Sequence, residues 1–268
     1  MTAHKVLITG AAGRIGTAFV RELNGQFDLR LGDLDSAALA HLGGEAVHLD
    51  VTDLDACMRA CAGVQTVLHL AADPLPDADF HTSLLPTNIV GSYNVFLAAK
   101  AQGCRRVVFA SSAQAVEGYP LDVQVQENMA PRPKNMYGVS KAFGEALASL
   151  FADDGTLVTV AVRIANVATF HAGERHSARD VAAFISERDV VQLLARCIDA
   201  DLSGFTVVHG VSDNRYKRLA IERTRSALNY RPRDDAFAIL EGEAGARRSA
   251  PSLAMTDEVG ATPARTFG

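Results

Sequence analysis

The sequence predicts an α/β protein built on a doubly wound, mainly parallel sheet, with a smaller portion toward the C-terminus. Three observations carry this. Short apolar runs alternate with helix-spaced segments along most of the 268 residues, the pattern of successive βαβ units. Gly10, Gly13 and Gly16 stand directly behind the first apolar run. Far downstream, Tyr137 precedes Lys141 by one helical turn.

Taken in order, residues 5–9 form the first strand and helical spacing follows over 16–23. A second strand over 28–31 ends at Gly32 and Asp33, and a third over 46–49 ends at Asp50. Residues 53–60 read as a helix with Thr52 or Asp53 as its N-cap. The fourth strand covers 66–70. A Pro- and Asp-rich loop at 74–79 leads into a long amphipathic helix over 80–102, bent near Pro86 and stopped by Gly103. The fifth strand, 106–110, delivers Ser111 and Ser112. Residues 119–135 carry three prolines and read as an irregular loop. The helix bearing Tyr137 and Lys141 then runs to about Ala152, and Asp154 and Gly155 turn the chain into a sixth strand over 156–163. Beyond Ile164 the periodicity weakens to a polar stretch at 169–180, a helix near 188–200 and a strand at 205–209.

Composition narrows the function. Hydrophobic residues at 48% and charged residues at 21% give an ordinary globular balance with material for a sizeable core. A formal charge of −5 gives no electrostatic reason to expect nucleic acid or an anionic membrane as partner. No apolar stretch approaches a membrane span, and the first residues run straight into a strand, so neither a membrane segment nor a signal peptide is expected. The four cysteines, Cys57, Cys61, Cys104 and Cys197, follow no framework spacing, which suits reduced thiols in a cytoplasm. Cys57 and Cys61 lack a nearby partner pair of metal-binding type, so no metal is expected.

The glycine cluster follows a strand and opens a helix, the context of a Rossmann-like dinucleotide cradle. Gly10 would permit the tight turn, Gly13 the approach of a pyrophosphate, and Gly16 close helix–strand packing, with the phosphates on the helix N-terminus. Arg14 and Ile15 lie within this loop. Asp33, at the end of the second strand, would bind both ribose hydroxyls and repel a 2′-phosphate, so NAD is expected rather than NADP. Arg14 is the contrary feature, being able to reach such a phosphate. Asp50, followed by Val51, would accept the adenine amino group or cap the next helix. The expected organisation is a dinucleotide-binding core over 1–164, a small substrate-binding portion over 165–240, and a flexible tail over 241–268.

At the reacting end, an unperturbed tyrosine with a pKa near ~10 is a poor base at neutral pH. An ammonium at Lys141, on the same helix face, would stabilise the phenolate. Ser112 would hold the reacting oxygen between Tyr137 and a nicotinamide. That is machinery for redox chemistry on a hydroxyl carbon.

The segments 9–16, 69–72, 87–95 with Asn88, 108–112, 137–141 and 163–167 together resemble the extended short-chain dehydrogenase/reductases, the NAD-dependent epimerase/dehydratase superfamily. The stretches 130–133, 137–145 and 228–236 are most similar to uronate dehydrogenases. The resemblance runs from residue 5 to about 240. It implies oxidation of the anomeric C1 hydroxyl of a free acidic sugar such as glucuronate or galacturonate to a lactone, with NAD as acceptor. It implies Tyr137 as base, Lys141 on the nicotinamide ribose, Ser112 on the reacting hydroxyl, and Asn88 in a proton relay or bracing the site. Leu70, Ala71 and Ala72 would line the cofactor and Ile164 would approach the nicotinamide. Arg179, or failing it Arg175, would bind the sugar carboxylate. A homodimer through the two long helices is common in this superfamily. Three positions depart from the pattern: Asp73 and Gln114 stand where Ser and His are expected, and Asn166 where Ser is expected, so the residues that read the sugar are partly changed. His171 and His176 would add donors to an anionic group or simply face solvent. The runners-up are a nucleotide-sugar epimerase or dehydratase of the same superfamily and a dinucleotide-sensing regulator without chemistry.

Overall fold

The computed structural model describes residues 4–23 and 25–242. The tail expected from 241 onward therefore falls outside the described residues after Gly242. The strands are β1 (Lys5–Thr9), β2 (Asp28–Asp33), β3 (Glu45–His48), β4 (Thr66–His69), β5 (Arg106–Ser112), β6 (Val158–Ile164), β7 (Asn166–Val167), β8 (Phe184–Ile185) and β9 (Phe205–Gly210). Seven of them make one sheet in the order β3-β2-β1-β4-β5-β6-β9, every neighbouring pair parallel. The order reverses between β1 and β4, which opens a crevice at their carboxyl ends. β7 and β8 form a separate short parallel pair.

Helices cover both faces, which is why the central strands are apolar without interruption. They are α1 (Arg14–Leu23), α2 (Ser36–Leu39), α3 (Leu54–Cys61), α4 (Gly91–Ala101), α5 (Met136–Ala152), α6 (Ala178–Ala182), α7 (Glu187–Asp199), α8 (Glu222–Leu228) and α9 (Ala236–Glu241). Side chains divide between two cores with a period of two. Val6 and Ile8 of β1, Val108 of β5 and Val162 of β6 pack with Phe19 of α1 and Leu194 of α7. Leu7, Val107, Phe109 and Ala161 pack on the other face with Cys61 of α3, Phe96 of α4 and Leu147 of α5. All four cysteines are buried and free. Residues after Ile164 supply the seventh strand and α7, and Val211, Leu219 and Tyr230 join the first core. A third small cluster of Phe170, Val181, Phe184 and Ala236 packs the outer portion.

The long helix expected over 80–102 is two helices of different pitch. Phe80–Val90 winds as a π-helix, capped by Asp79, and α4 continues from Gly91. Pro86 has no N–H and cannot sit inside an α-helix without losing a bond. The wider register takes it up, with the Leu84 N–H donating to the Asp79 carbonyl at 3.0 Å and the Gly91 N–H to the Pro86 carbonyl. The sequence showed a bend; the structure makes it a change of helix type.

α5 is fastened through a buried ion pair. Arg163 of β6 is 2% exposed and places Nε and a terminal nitrogen on the two oxygens of Glu145, at 2.9 and 2.8 Å. Glu145 also accepts the Ser111 hydroxyl at 2.6 Å, and Arg163 donates to the Met129 carbonyl at 3.1 Å. The α5 backbone comes close to β5 because Gly144 carries no side chain: a Cβ there would stand 2.1 Å from the Phe109 ring. Among the described residues, no helix is long and apolar enough to cross a membrane.

Candidate active site

The crevice at the ends of β1, β2 and β4 holds a cleft of about 370 Å³ lined by Gly10, Gly13, Asp33, Asp50, Val51 and Ala71, with Leu70 and Ala72 beside them. Its floor is shaped by missing side chains. Gly10 has φ of +69°, and a Cβ on it would lie 2.7 Å from the Ala71 nitrogen. A Cβ on Gly16 would lie 2.6 Å from the Ala11 carbonyl, so α1 starts directly against the loop. Asp33 accepts the Ala12 N–H at 2.9 Å and the Asp35 N–H at 3.2 Å, which fixes its carboxylate at the cleft edge with acceptor capacity to spare. A cradle that only glycine permits and an acid at the second strand end fit an adenosine dinucleotide.

Several expected cofactor residues take other partners. The Arg14 guanidinium reaches Glu187 at 3.0 Å, the Val167 carbonyl at 2.8 Å and Thr169 Oγ1 at 3.0 Å. It is pinned toward the loop after β6, which removes the one feature that favoured a 2′-phosphate. Ile15 packs half-buried on the first core. Asp50 accepts from the Thr52 N–H and hydroxyl, while Asp53 caps α3. Asn88 is 2% exposed, and its amide is spent on the Asp73 main chain and on Ser140 Oγ, so it braces the site.

The reacting end is assembled where β5 meets α5. Ser112 ends β5 and accepts the Gln114 N–H at 3.2 Å as the chain enters a short 3₁₀ turn, Ala113–Val116. Asn135 caps α5 by accepting the Gly138 N–H at 2.7 Å, and the Gln114 side-chain oxygen accepts from the Asn135 amide at 3.0 Å. Gln114, expected at the sugar, thus steadies the first turn of α5, where Tyr137 sits. The Ser112 hydroxyl faces the Tyr137 phenol closely enough to favour its anion. Lys141 lies beneath, 5% exposed, its Nζ 5.4 Å from the Tyr137 ring centre and 5.3 Å from that of Phe109. Ile164 is buried at the carboxyl end of β6.

Burial opposes the phenolate that the neighbouring ammonium is expected to favour. Burial pushes the Tyr137 phenol above its ordinary value; the Ser112 hydroxyl opposes this, and the Asp73 carboxylate reinforces it. Burial also pulls the Lys141 ammonium down to about 8. Each group is desolvated by the same packing, and the dry pocket disfavours both charges. A cation arriving with the cofactor is what would tip the phenol toward its anion.

Residues beyond β6 are placed differently from one another. Arg179 on α6 gives Nε and a terminal nitrogen to the two Glu117 oxygens at 3.0 and 2.8 Å, and its third nitrogen to Asp180 at 3.1 Å. Its guanidinium is therefore engaged by two carboxylates of the chain itself. Asn166 is exposed on β7, with its N–H on the Ala183 carbonyl. Arg175 is exposed. His176 stacks on Phe170 at 3.9 Å and meets Glu174 at 3.0 Å, the environment of a solvated loop. Sequence reasoning noted Asp73 only as a departure. Its placement depends on Asn88, 15 residues on, and no local pattern announces that clamp.

The chain belongs to the NAD dependent epimerase/dehydratase family, whose description matches residues 6–194. It is 36% identical over 256 residues to the NAD-dependent glucose-6-phosphate dehydrogenase of Haloferax volcanii, covering 89% of this chain and 97% of that one. To the L-arabinose 1-dehydrogenase (NAD(P)(+)) of the same organism it is 35% identical over 260 residues, covering 88% and 99%. The crystal structure of uronate dehydrogenase from Agrobacterium tumefaciens superposes with a TM-score of 0.80 at 31% identity, covering 94% of this chain and 92% of that one.

Proposed function

We propose that the protein oxidises the anomeric C1 hydroxyl of a free monosaccharide to the lactone, with NAD⁺ as acceptor. The observation that carries this is the Ser112–Tyr137–Lys141 group where β5 meets α5, together with a glycine-floored cleft edged by Asp33. Bound NAD⁺ supplies the acceptor for the hydride leaving C1. Ser112 donates to the substrate oxygen and fixes its distance from the phenol. Tyr137, as phenolate, takes the hydroxyl proton, so that the C1 oxygen closes to a carbonyl. Lys141 holds positive charge under the ring while that anion exists. The relatives' named substrates, a sugar phosphate, a pentose and uronates, share an anomeric carbon, which supports a reaction there. The acidic sugar expected from the sequence rested on the likeness to uronate dehydrogenases, with Arg179 or, failing it, Arg175 on the carboxylate; Glu117 and Asp180 hold Arg179 here. An NADH-absorbance screen of aldoses, uronates and aldose phosphates with each dinucleotide tests the reading. Reduction of NAD⁺ by at least one free sugar, with NADP⁺ the poorer acceptor, is expected; no reduction by any would dispose of it.

We further infer a homodimer. Val90, Tyr93, Val139 and Leu150 leave exposed apolar surface on the π-helix, α4 and α5. Sedimentation at micromolar concentration should give twice the chain mass, and a strictly monomeric boundary would refute it.

A further inference from the structure

Arg14 joins two parts of the site that lie far apart in the chain. It is the first residue of α1 and follows Gly13, which lines the cleft. Its guanidinium leaves that loop for Glu187, the Val167 carbonyl and Thr169 Oγ1, partners 153 to 173 residues away. The segment it holds begins beside the reacting end. Ile164 is the register partner of Ser112, so residues 165–169 leave the sheet next to that serine. Beyond them, residues 171–177 are exposed and without helix or strand, and they carry Arg175, one of the two arginines expected at the substrate.

The bond to Val167 has a structural reason. In a parallel pair, successive residues point their N–H and C=O groups to opposite sides. Asn166 and Ala168 give their N–H groups to the Ala183 and Ile185 carbonyls, so Val167 faces away from β8. β7 and β8 make a two-stranded sheet, and Arg14 stands where a third strand would. Glu187, the first residue of α7, also takes Arg21 at 3.2 Å, which steadies the carboxylate for Arg14. A positive side chain at a helix N-terminus gains nothing from the helix dipole, so Arg14 is poorly placed for α1 itself. Its return lies in the later segment. At 47% exposure each ionic contact contributes little alone, but three bonds in fixed directions transmit order. A diphosphate seated on the first turn of α1 would fix the backbone from which Arg14 extends. Ordering one end lowers the entropy still to be lost at the other, and such coupling is reciprocal.

We propose, resting on the sugar-oxidising function above, that Arg14 is a positioning residue: NAD bound on the glycine loop stiffens residues 166–176 through it, and so favours binding of the sugar at the reacting end. The test is amide hydrogen exchange of the whole chain with and without saturating NAD⁺. In the wild type, NAD⁺ should slow exchange over 166–176 by about fivefold or more, besides protecting 8–16. Two variants break the link differently. Arg14→Met deletes the guanidinium, whereas Glu187→Gln with Thr169→Val keeps it and removes two of its partners. NAD⁺ should still protect 8–16 in both, while its effect on 166–176 vanishes in the first and falls by at least about half in the second. In Arg14→Met, KM for the fastest sugar of the screen should rise about fivefold with kcat within about twofold. Exchange over 166–176 that ignores NAD⁺ in the wild type overturns the inference. So does full protection in the second variant, since the guanidinium would then act on the dinucleotide alone. If no sugar reduces NAD⁺, the function proposed above fails, and the exchange result by itself decides the coupling.

Discussion

Replacing Tyr137 by Phe should lower kcat by about 10³-fold or more, near the upper part of what a lost general base costs, while the affinity for NAD⁺ stays within about twofold. The substitution keeps the ring that Lys141 packs beneath and removes only the phenol oxygen. Titration of cofactor binding alongside single-turnover kinetics separates the two effects. The pH dependence follows from the same groups. The base works only when deprotonated, and burial raises its pKa, so turnover should climb with pH from the acid side. Lys141 supports the phenolate only while it keeps its proton, and burial lowers that limit to about 8 in the protein without cofactor. Lys141→Met should therefore shift the rising limb to higher pH and lower the maximum. Because the two sites interact, the observed values belong to the pair and not to either residue. Wild-type turnover in Tyr137→Phe, or a limb that stays in place in Lys141→Met, would assign the proton to another group.

The parts of this arrangement that the sequence disclosed are those set by local chemistry. Strands buried on both faces leave unbroken apolar runs, so β1, β4 and β6 could be placed within a few residues. The Gly10–Gly13–Gly16 spacing and the one-turn separation of Tyr137 and Lys141 are likewise properties of a single segment. What stayed hidden depends on contacts between distant segments. Glu117 and Arg179 are 62 positions apart, and a sequence gives no sign that one neutralises the other. Gln114 was expected at the sugar because it stands where the resembled family has a His, yet its side-chain oxygen accepts from Asn135, the cap of α5. The π-helical winding of 80–90 is a tertiary answer to Pro86: the rule that proline breaks a helix predicts a disturbance but not its form. Short elements such as α6 and β8 have too few residues to show a period at all.

The largest stability effect should come from Glu145, a residue with no part in the chemistry. Its carboxylate holds Arg163 through two bonds and Ser111 through a third, all in the interior between α5, β5 and β6. Assembling such a pair is not a large net gain, because both ions lose their hydration. Breaking it is different, since Glu145→Ala leaves a guanidinium 2% exposed with no counter-ion. A loss of about 3–5 kcal/mol is expected by urea unfolding, enough to unfold many domains of this size. Replacing both partners, Glu145→Leu with Arg163→Leu, should recover a good part of it, because no buried charge remains, although the Ser111 hydroxyl and the Met129 carbonyl then lack a partner. The double variant separates electrostatics from packing: recovery means that the stranded charge was the cost, whereas a double variant less stable than either single one means that side-chain fit was. It also reports on catalysis at a distance. Ser111 neighbours Ser112, and Glu145 lies on the same helix as Tyr137 and Lys141, so a folded double variant with a loosened α5 should lose kcat and keep KM for NAD⁺. Unchanged kcat in that variant would show that the α5 cap at Asn135 and the close approach at Gly144 suffice to hold the phenol in place.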